Sequence, residues 1–370
     1  MKGIWKYSAL LPFVGDEFRM TLGEGNTPLI RSKHIGKELG LENLYFKLEI
    51  TNPSGSYKDR FAASAVSNIL AQGGRMCLAT SSGNTGAALA AYSAMAGIKC
   101  FLTVVDGAPA GKLQQMRVYG SEVLMVRDFG KDAAVTEQIM DVLSSLAQSQ
   151  GTAVQISAFC YSPLGMAGVQ TIAYEIAESL GSEADHVFTP AGGGGLMLAL
   201  MKGFKEWMVS NPDYRPPIVN CVQPSGNNTI AGAIREGAEA TASVGRSETT
   251  ISGLQVPNVL DGDEILRMGN KIVTGAYLVD DSLVYDCQRE LAVKEGIFCE
   301  PASAVSLAGL KTALAEGTIK SNDTIVCLIT GHGFKDPNSA EQIASHSASE
   351  YFGETDALSD YIQAQVQTIK

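Results

Sequence analysis

Apolar and polar positions along the chain follow two periods. Short β-branched and apolar runs at 76–80, 99–105, 122–126, 153–157, 186–189, 218–222 and 324–330 have the length and composition of strands. Longer stretches between them, at 59–73, 86–96, 133–149, 164–180, 196–209 and 301–315, repeat apolar residues at helical spacing. Such alternation predicts an α/β fold with open, mostly parallel sheets. Three predicted strands run directly into Gly or Ser/Thr turns: Ser81-Ser82-Gly83-Asn84, Gly192–Gly195 and Thr330-Gly331-His332-Gly333. Ligands bind beyond the carboxyl ends of strands in open α/β sheets, so these turns mark the candidate site. The polar stretch 236–250 reads as a surface loop, and the chain beyond Pro337 as a polar, helical tail.

Composition narrows the picture. With 370 residues, 45% of them hydrophobic and 18% charged, the chain is long enough for two domains, since single cores stop growing at roughly 250 residues. No stretch is long and apolar enough for a bilayer span, and the start, Met1-Lys2-Gly3-Ile4-Trp5-Lys6, lacks a signal-peptide pattern. The seven cysteines form no CxxC pair and are odd in number, which fits free thiols in a reducing cytoplasm. Four scattered histidines give no metal-ligand spacing, so no metal is expected. A formal charge of −11 opposes binding to nucleic acid or an anionic membrane, leaving a small molecule as the expected partner.

Four segments carry candidate chemistry. Asn52-Pro53-Ser54-Gly55-Ser56-Tyr57-Lys58-Asp59-Arg60 is a tight turn into a helix, and it presents Lys58 at a fixed depth, as a cofactor aldehyde requires. A lone lysine there is more commonly solvated. Thr80–Gly86 places the Ser81, Ser82 and Thr85 hydroxyls and the Gly83 backbone at a helix N-terminus, which suits a carboxylate and equally suits a simple capped turn. Gly192-Gly193-Gly194-Gly195-Leu196 lets backbone N–H groups wrap a phosphate, or is merely a flexible loop. It has neither GxGxxG spacing nor a P-loop ending, which disfavours a dinucleotide. The fourth is Leu328–Pro337, containing Thr330-Gly331-His332-Gly333, with Glu300-Pro301-Ala302-Ser303-Ala304 upstream.

In this order, and with Leu22-Gly23-Glu24-Gly25-Asn26-Thr27-Pro28-Leu29 at the start, these motifs resemble the fold-type-II pyridoxal-phosphate enzymes, most closely the threonine-synthase branch. The resemblance runs from about Trp5 to Pro337. It implies two αβ units with the cofactor in the cleft between them: a larger one from 1–60 and 155–340, a smaller one from 61–154, and 341–370 as the tail. It implies a homodimer and a pyridoxal 5'-phosphate cofactor. Lys58 would carry the cofactor as a Schiff base, Asn84 would bond its 3-oxygen, Gly192, Gly193, Gly194 and Gly195 would hold its phosphate, and Thr330 would face its pyridine nitrogen. Glu300 joins this cofactor set, while Ser81, Ser82, Gly83 and Thr85 would take the substrate carboxylate. A neutral partner such as Thr330 favours elimination and replacement over transamination.

The resemblance also implies a segment Asn-Pro-x-Arg-Leu-Glu-Gly-Gln-Lys that holds the phosphate of O-phosphohomoserine. Here Ser162–Gln170 has Gly165 at the arginine position and Gln170 at the lysine position, and no Lys or Arg occurs from Asp132 to Met201. An arginine–phosphate contact is worth roughly 2–3 kcal/mol. The glycine loop, followed by Leu196, is closer to the dehydratase branch. The expectation is therefore a lyase that eliminates or replaces a β-substituent of a small non-phosphorylated amino acid through an aminoacrylate or aminocrotonate, as a threonine or serine ammonia-lyase does. The alternative is a true threonine synthase, with Lys47, Lys112 or Arg117 supplying the phosphate contact.

Overall fold

The computed structural model describes every residue except 1, 2, 109, 270, 346–348, 369 and 370, and every side chain except those and 110–112 and 368. Among the described residues, nine strands form two sheets. The larger has the order β1-β2-β9-β6-β7-β8, with β1 (Leu29–Arg31), β2 (Asn43–Leu48), β6 (His186–Pro190), β7 (Ile218–Pro224), β8 (Thr274–Val279) and β9 (Thr324–Ile329). Only β1 is antiparallel to its neighbour. The smaller sheet is β3 (Met76–Thr80), β4 (Lys99–Val104) and β5 (Glu122–Met125), all parallel. The central strands β6 and β9 are almost wholly buried, as expected where helices cover both faces of a parallel sheet. Two open, mostly parallel αβ sheets are thus the architecture, as the alternation predicts.

Three strands of the larger sheet fall outside the predicted set, each for a local reason. β1 has only three residues, β2 is interrupted by the charged Lys47, and β8 contains Gly275. Gly275 is required there, because a Cβ would lie 2.2 Å from Asn220 Oδ1 on β7. Conversely, 153–157 forms no strand. It pairs with β3 through one bridge, Gln155 to Ala79, and then turns away because Phe159 N and Cys160 N donate to the Asp261 carboxylate at 2.8 and 3.1 Å.

The helix Lys58–Ala71 carries the chain from the larger sheet to β3, so Lys58 sits at a crossing point. Its entry turn is sewn to the end of β9: Tyr57 N donates to Thr330 O at 3.0 Å, and His332 N donates to Gly55 O at 2.9 Å. Gly55 has φ +91, which explains a glycine before the lysine. A fully buried ion cluster then fixes the first turn of the helix. Arg60 donates to Glu49 at 2.7 and 2.8 Å and to Glu175 at 2.7 and 2.8 Å, and Lys47 Nζ donates to Glu175 at 2.6 Å. Burial pushes the Glu175 carboxyl up, but the Arg60 and Lys47 charges outweigh it and hold the group at about 2. The cluster reaches the opening motif through Thr27, whose hydroxyl donates to Glu49 at 2.7 Å. Among the described residues, no helix is long and apolar enough to cross a membrane.

Candidate active site

A cavity of about 870 Å³ opens between the two sheets at the carboxyl ends of their strands. Lys58, Ser81, Ser82, Gly83, Asn84, Thr85, Gly192, Gly193, Gly194, Gly195, Glu300 and Thr330 all line it, so the structure brings these twelve residues of the sequence motifs into one place.

Lys58 forms the floor. Its Nζ donates to Ser157 Oγ at 2.6 Å and lies 4.5 Å from the centre of the Tyr57 ring. The side chain keeps some contact with the open cleft, yet the surrounding protein removes enough water to push the ammonium down to about 7, with Glu300 and Asp261 offsetting part of that effect. On the smaller sheet's side, β3 ends in Ser81–Gly83 and the helix Asn84–Ala96 begins. Thr85 Oγ1 lies 3.0 Å from Ser157 Oγ, and Asn84 Nδ2 donates to Glu300 Oε1 at 2.8 Å.

On the larger sheet's side, β6 leads through Gly192–Gly194 into the helix Gly195–Ser210. Gly194 has φ +94, and a Cβ on Gly193 or Gly195 would lie 2.6 Å from Leu260 or 2.9 Å from the Ser157 carbonyl. The loop therefore accepts no side chains and keeps bare backbone at a helix N-terminus, where an anion is favoured. At the far end Thr330 Oγ1 lies 3.1 Å from Ser303 Oγ, a neutral hydroxyl pair with no carboxylate between them. A half-buried amine, a bare glycine cradle and a hydroxyl pair at the opposite end fit the aldehyde, phosphate and ring nitrogen of pyridoxal phosphate.

Some participants were not legible in the motifs. Ser157 follows an apolar run and carries no motif of its own. Lys335 lines the cleft, donates to Gln115 Oε1 at 2.6 Å, and is held below the usual lysine range by burial. It lies inside the recognised 328–337 segment, where no role attached to it. Two of the cations named as alternative phosphate partners, Lys47 and Arg117, do not gather here. Lys47 is locked in the buried ion cluster, Arg117 is exposed and away from the cavity lining, and the Lys112 side chain lies outside the described residues. Gly165 also lies behind the cleft rather than on its wall: a Cβ there would be 2.6 Å from the Phe61 ring.

A sequence model of the pyridoxal-phosphate dependent enzymes matches residues 20–331, which contain Lys58, both Ser/Gly loops, Glu300 and Thr330. This chain belongs to that family. It uses pyridoxal phosphate, and its relatives sharpen the branch. Threonine synthase of Methanocaldococcus jannaschii is 37% identical over 340 residues, covering 91% of this enzyme and 82% of that one. Threonine synthase of Halalkalibacterium halodurans is 33% identical over 365 residues, covering 98% and 97%. Among solved structures, maize serine racemase superposes with a TM-score of 0.73 at 21% identity, covering 93% of this enzyme and 96% of that chain. Threonine deaminase isoform 2 of Solanum lycopersicum superposes with a TM-score of 0.71 at 22% identity, covering 87% and 84%. At those identities the two structures share the fold.

Proposed function

We propose that the enzyme is a threonine synthase, converting O-phosphohomoserine to threonine and phosphate at Lys58. The observation that carries this reading is the end-to-end match to threonine synthases, 33% identity over 98% of the chain in one case, with the site motifs converging on one cleft. In this reading Lys58 carries the cofactor, Gly192–Gly195 hold its phosphate, Thr330 with Ser303 meets the ring nitrogen, and Asn84, steadied by Glu300, meets the ring hydroxyl. Ser81, Ser82, Gly83 and Thr85 receive the substrate carboxylate. Bound there, pyridoxal phosphate supplies the electron sink that acidifies protons next to the substrate amine.

The protein's own groups do the rest. With its pKa near 7, Lys58 is available as a neutral amine at physiological pH and takes the α-proton. The Thr330–Ser303 pair adds no negative charge at its end of the cleft, which favours departure of a leaving group over transamination. The ammonium of Lys335, positioned by Gln115, lies on the cleft wall as a partner for the departing phosphate. Glycine at 165 leaves the cleft wall unchanged, because the position packs on Phe61 behind it.

A second reading rests on one observation: the segment 162–170 has glycine and glutamine at positions 165 and 170, where the branch has arginine and lysine. It makes the enzyme an ammonia-lyase acting on free threonine or serine. Purified enzyme supplied separately with O-phosphohomoserine, L-threonine and L-serine separates the two. Equal release of phosphate and threonine from the first supports the synthase. A 2-oxo acid and ammonia from the hydroxy-amino acids, with no phosphate release, supports the lyase. Lys58→Ala is expected to remove both turnover and the visible absorbance of bound cofactor under either reading.

A further inference from the structure

The Ser157 hydroxyl has the closest contact to the reactive amine. Its Oγ accepts from Lys58 Nζ at 2.6 Å and lies 3.0 Å from Thr85 Oγ1. Amine, serine and threonine thus form a continuous hydrogen-bonded chain. The chain starts at the crossing helix and ends beside Ser81–Gly83 on the smaller sheet's side of the cleft. Ser157 is held from behind. Two N–H groups just beyond it, Phe159 N and Cys160 N, are clamped by Asp261, and its carbonyl abuts Gly195. The other groups facing the amine are the Tyr57 ring and the carboxylates of Glu300 and Asp261.

We propose that Ser157 is a catalytic residue that docks the Lys58 amine whenever that amine is released and relays its proton to Thr85 at the substrate loop. In the relay an N–H bond of the Lys58 ammonium breaks as Ser157 Oγ gains that proton. The original Ser157 proton passes to Thr85 Oγ1, and the original Thr85 proton passes to an oxygen of the departing group. Both hydroxyls end as they began, Lys58 is left neutral, and no electrons change owner. The role adds an active group to the site and rests on the assignment of Lys58 as the cofactor lysine.

The test uses both apoprotein and holoenzyme. Apoprotein is mixed with pyridoxal phosphate across a pH series and reduced with borohydride, and the pyridoxyl label is located by peptide mass. Label on a different lysine in the wild type overturns the Lys58 assignment itself. With label on Lys58, Ser157→Ala removes an acceptor for the ammonium, so the charged form is less favoured and the pH midpoint of capture falls by about one unit. Ser157→Thr keeps the hydroxyl and restores the midpoint. In the holoenzyme, Ser157→Ala and Thr85→Val each lower kcat about 10- to 100-fold, and the double variant is no slower than the worse single one. An unchanged midpoint in Ser157→Ala overturns the docking role. A shifted midpoint with kcat within twofold of wild type overturns the relay. The Thr85 variant approaches the same chain from the other side and keeps the relay testable if Ser157→Ala folds poorly.

Discussion

In its proposed role Lys58 draws on being surrounded by protein, with Glu300 and Asp261 restoring only part of its charge. An ordinary lysine amine is almost wholly protonated near neutrality, with a pKa of about 10.4. At Lys58 burial brings it to about 7. Protonated amine cannot attack an aldehyde, so capture of pyridoxal phosphate by apoprotein is expected to fall away below pH 7 and to be flat above about pH 8. Stopped-flow absorbance across that range checks it, and a midpoint near that of free lysine would contradict the burial argument. Gly331 offers a second probe at this scale. A Cβ there would lie 2.1 Å from Glu300 Oε1 and 3.1 Å from Asn84 Nδ2. Gly331→Ala therefore has to displace Glu300 from Asn84, and a tenfold or greater loss of cofactor affinity is expected, roughly 1.4 kcal/mol. Equilibrium titration followed by visible absorbance measures it.

At the scale of elements, the helix Lys58–Ala71 is anchored by charge as well as by apolar packing. Arg60 and Lys47 balance Glu49 and Glu175, and all four are buried. Arg60→Met would leave two buried carboxylates facing one lysine, with an expected cost of about 3–5 kcal/mol in urea unfolding. The cluster also sets an acid limit. The Glu175 carboxylate is depressed to about 2, so its contribution is complete above the unfolded value near 4.5 and is lost as pH falls toward 2. The same cluster shows why part of the fold escaped the sequence. β2 has a buried lysine at Lys47, which breaks the apolar pattern by which a strand is recognised, yet that lysine pairs with Glu175 far along the chain. The glycine and hydroxyl turns were legible because each needs a residue type that few other structures require. Ser157 was not, because its meaning comes from Lys58 and Thr85, which are distant in sequence.

The whole molecule keeps its thiols out of reach. Six of the seven cysteines are buried and only Cys160 is exposed. A thiol reagent is therefore expected to modify one cysteine in the native enzyme and seven in denaturant. Burial, with Asp261 adding to it, pushes the Cys160 thiol up to about 11, so even that single reaction is expected to be slow at pH 8 and to quicken as pH rises. Labelling of several thiols at native pH would mean that the core opens readily.

The pairing of β2 with β9 has a consequence for how the enzyme is made. Asn43 pairs with Thr324 and Leu48 with Ile329, so an early strand of the larger sheet waits for the last one. The smaller sheet is contiguous in sequence and can assemble soon after its residues leave the ribosome. The lysine turn cannot settle until Thr330 and His332 arrive to bond Tyr57 and Gly55. A nascent chain thus carries its reactive lysine through most of translation without the pocket that makes it reactive. With Lys58 in its proposed role, cofactor loading is expected to be one of the final events of synthesis, and a chain released early is expected to fail at it.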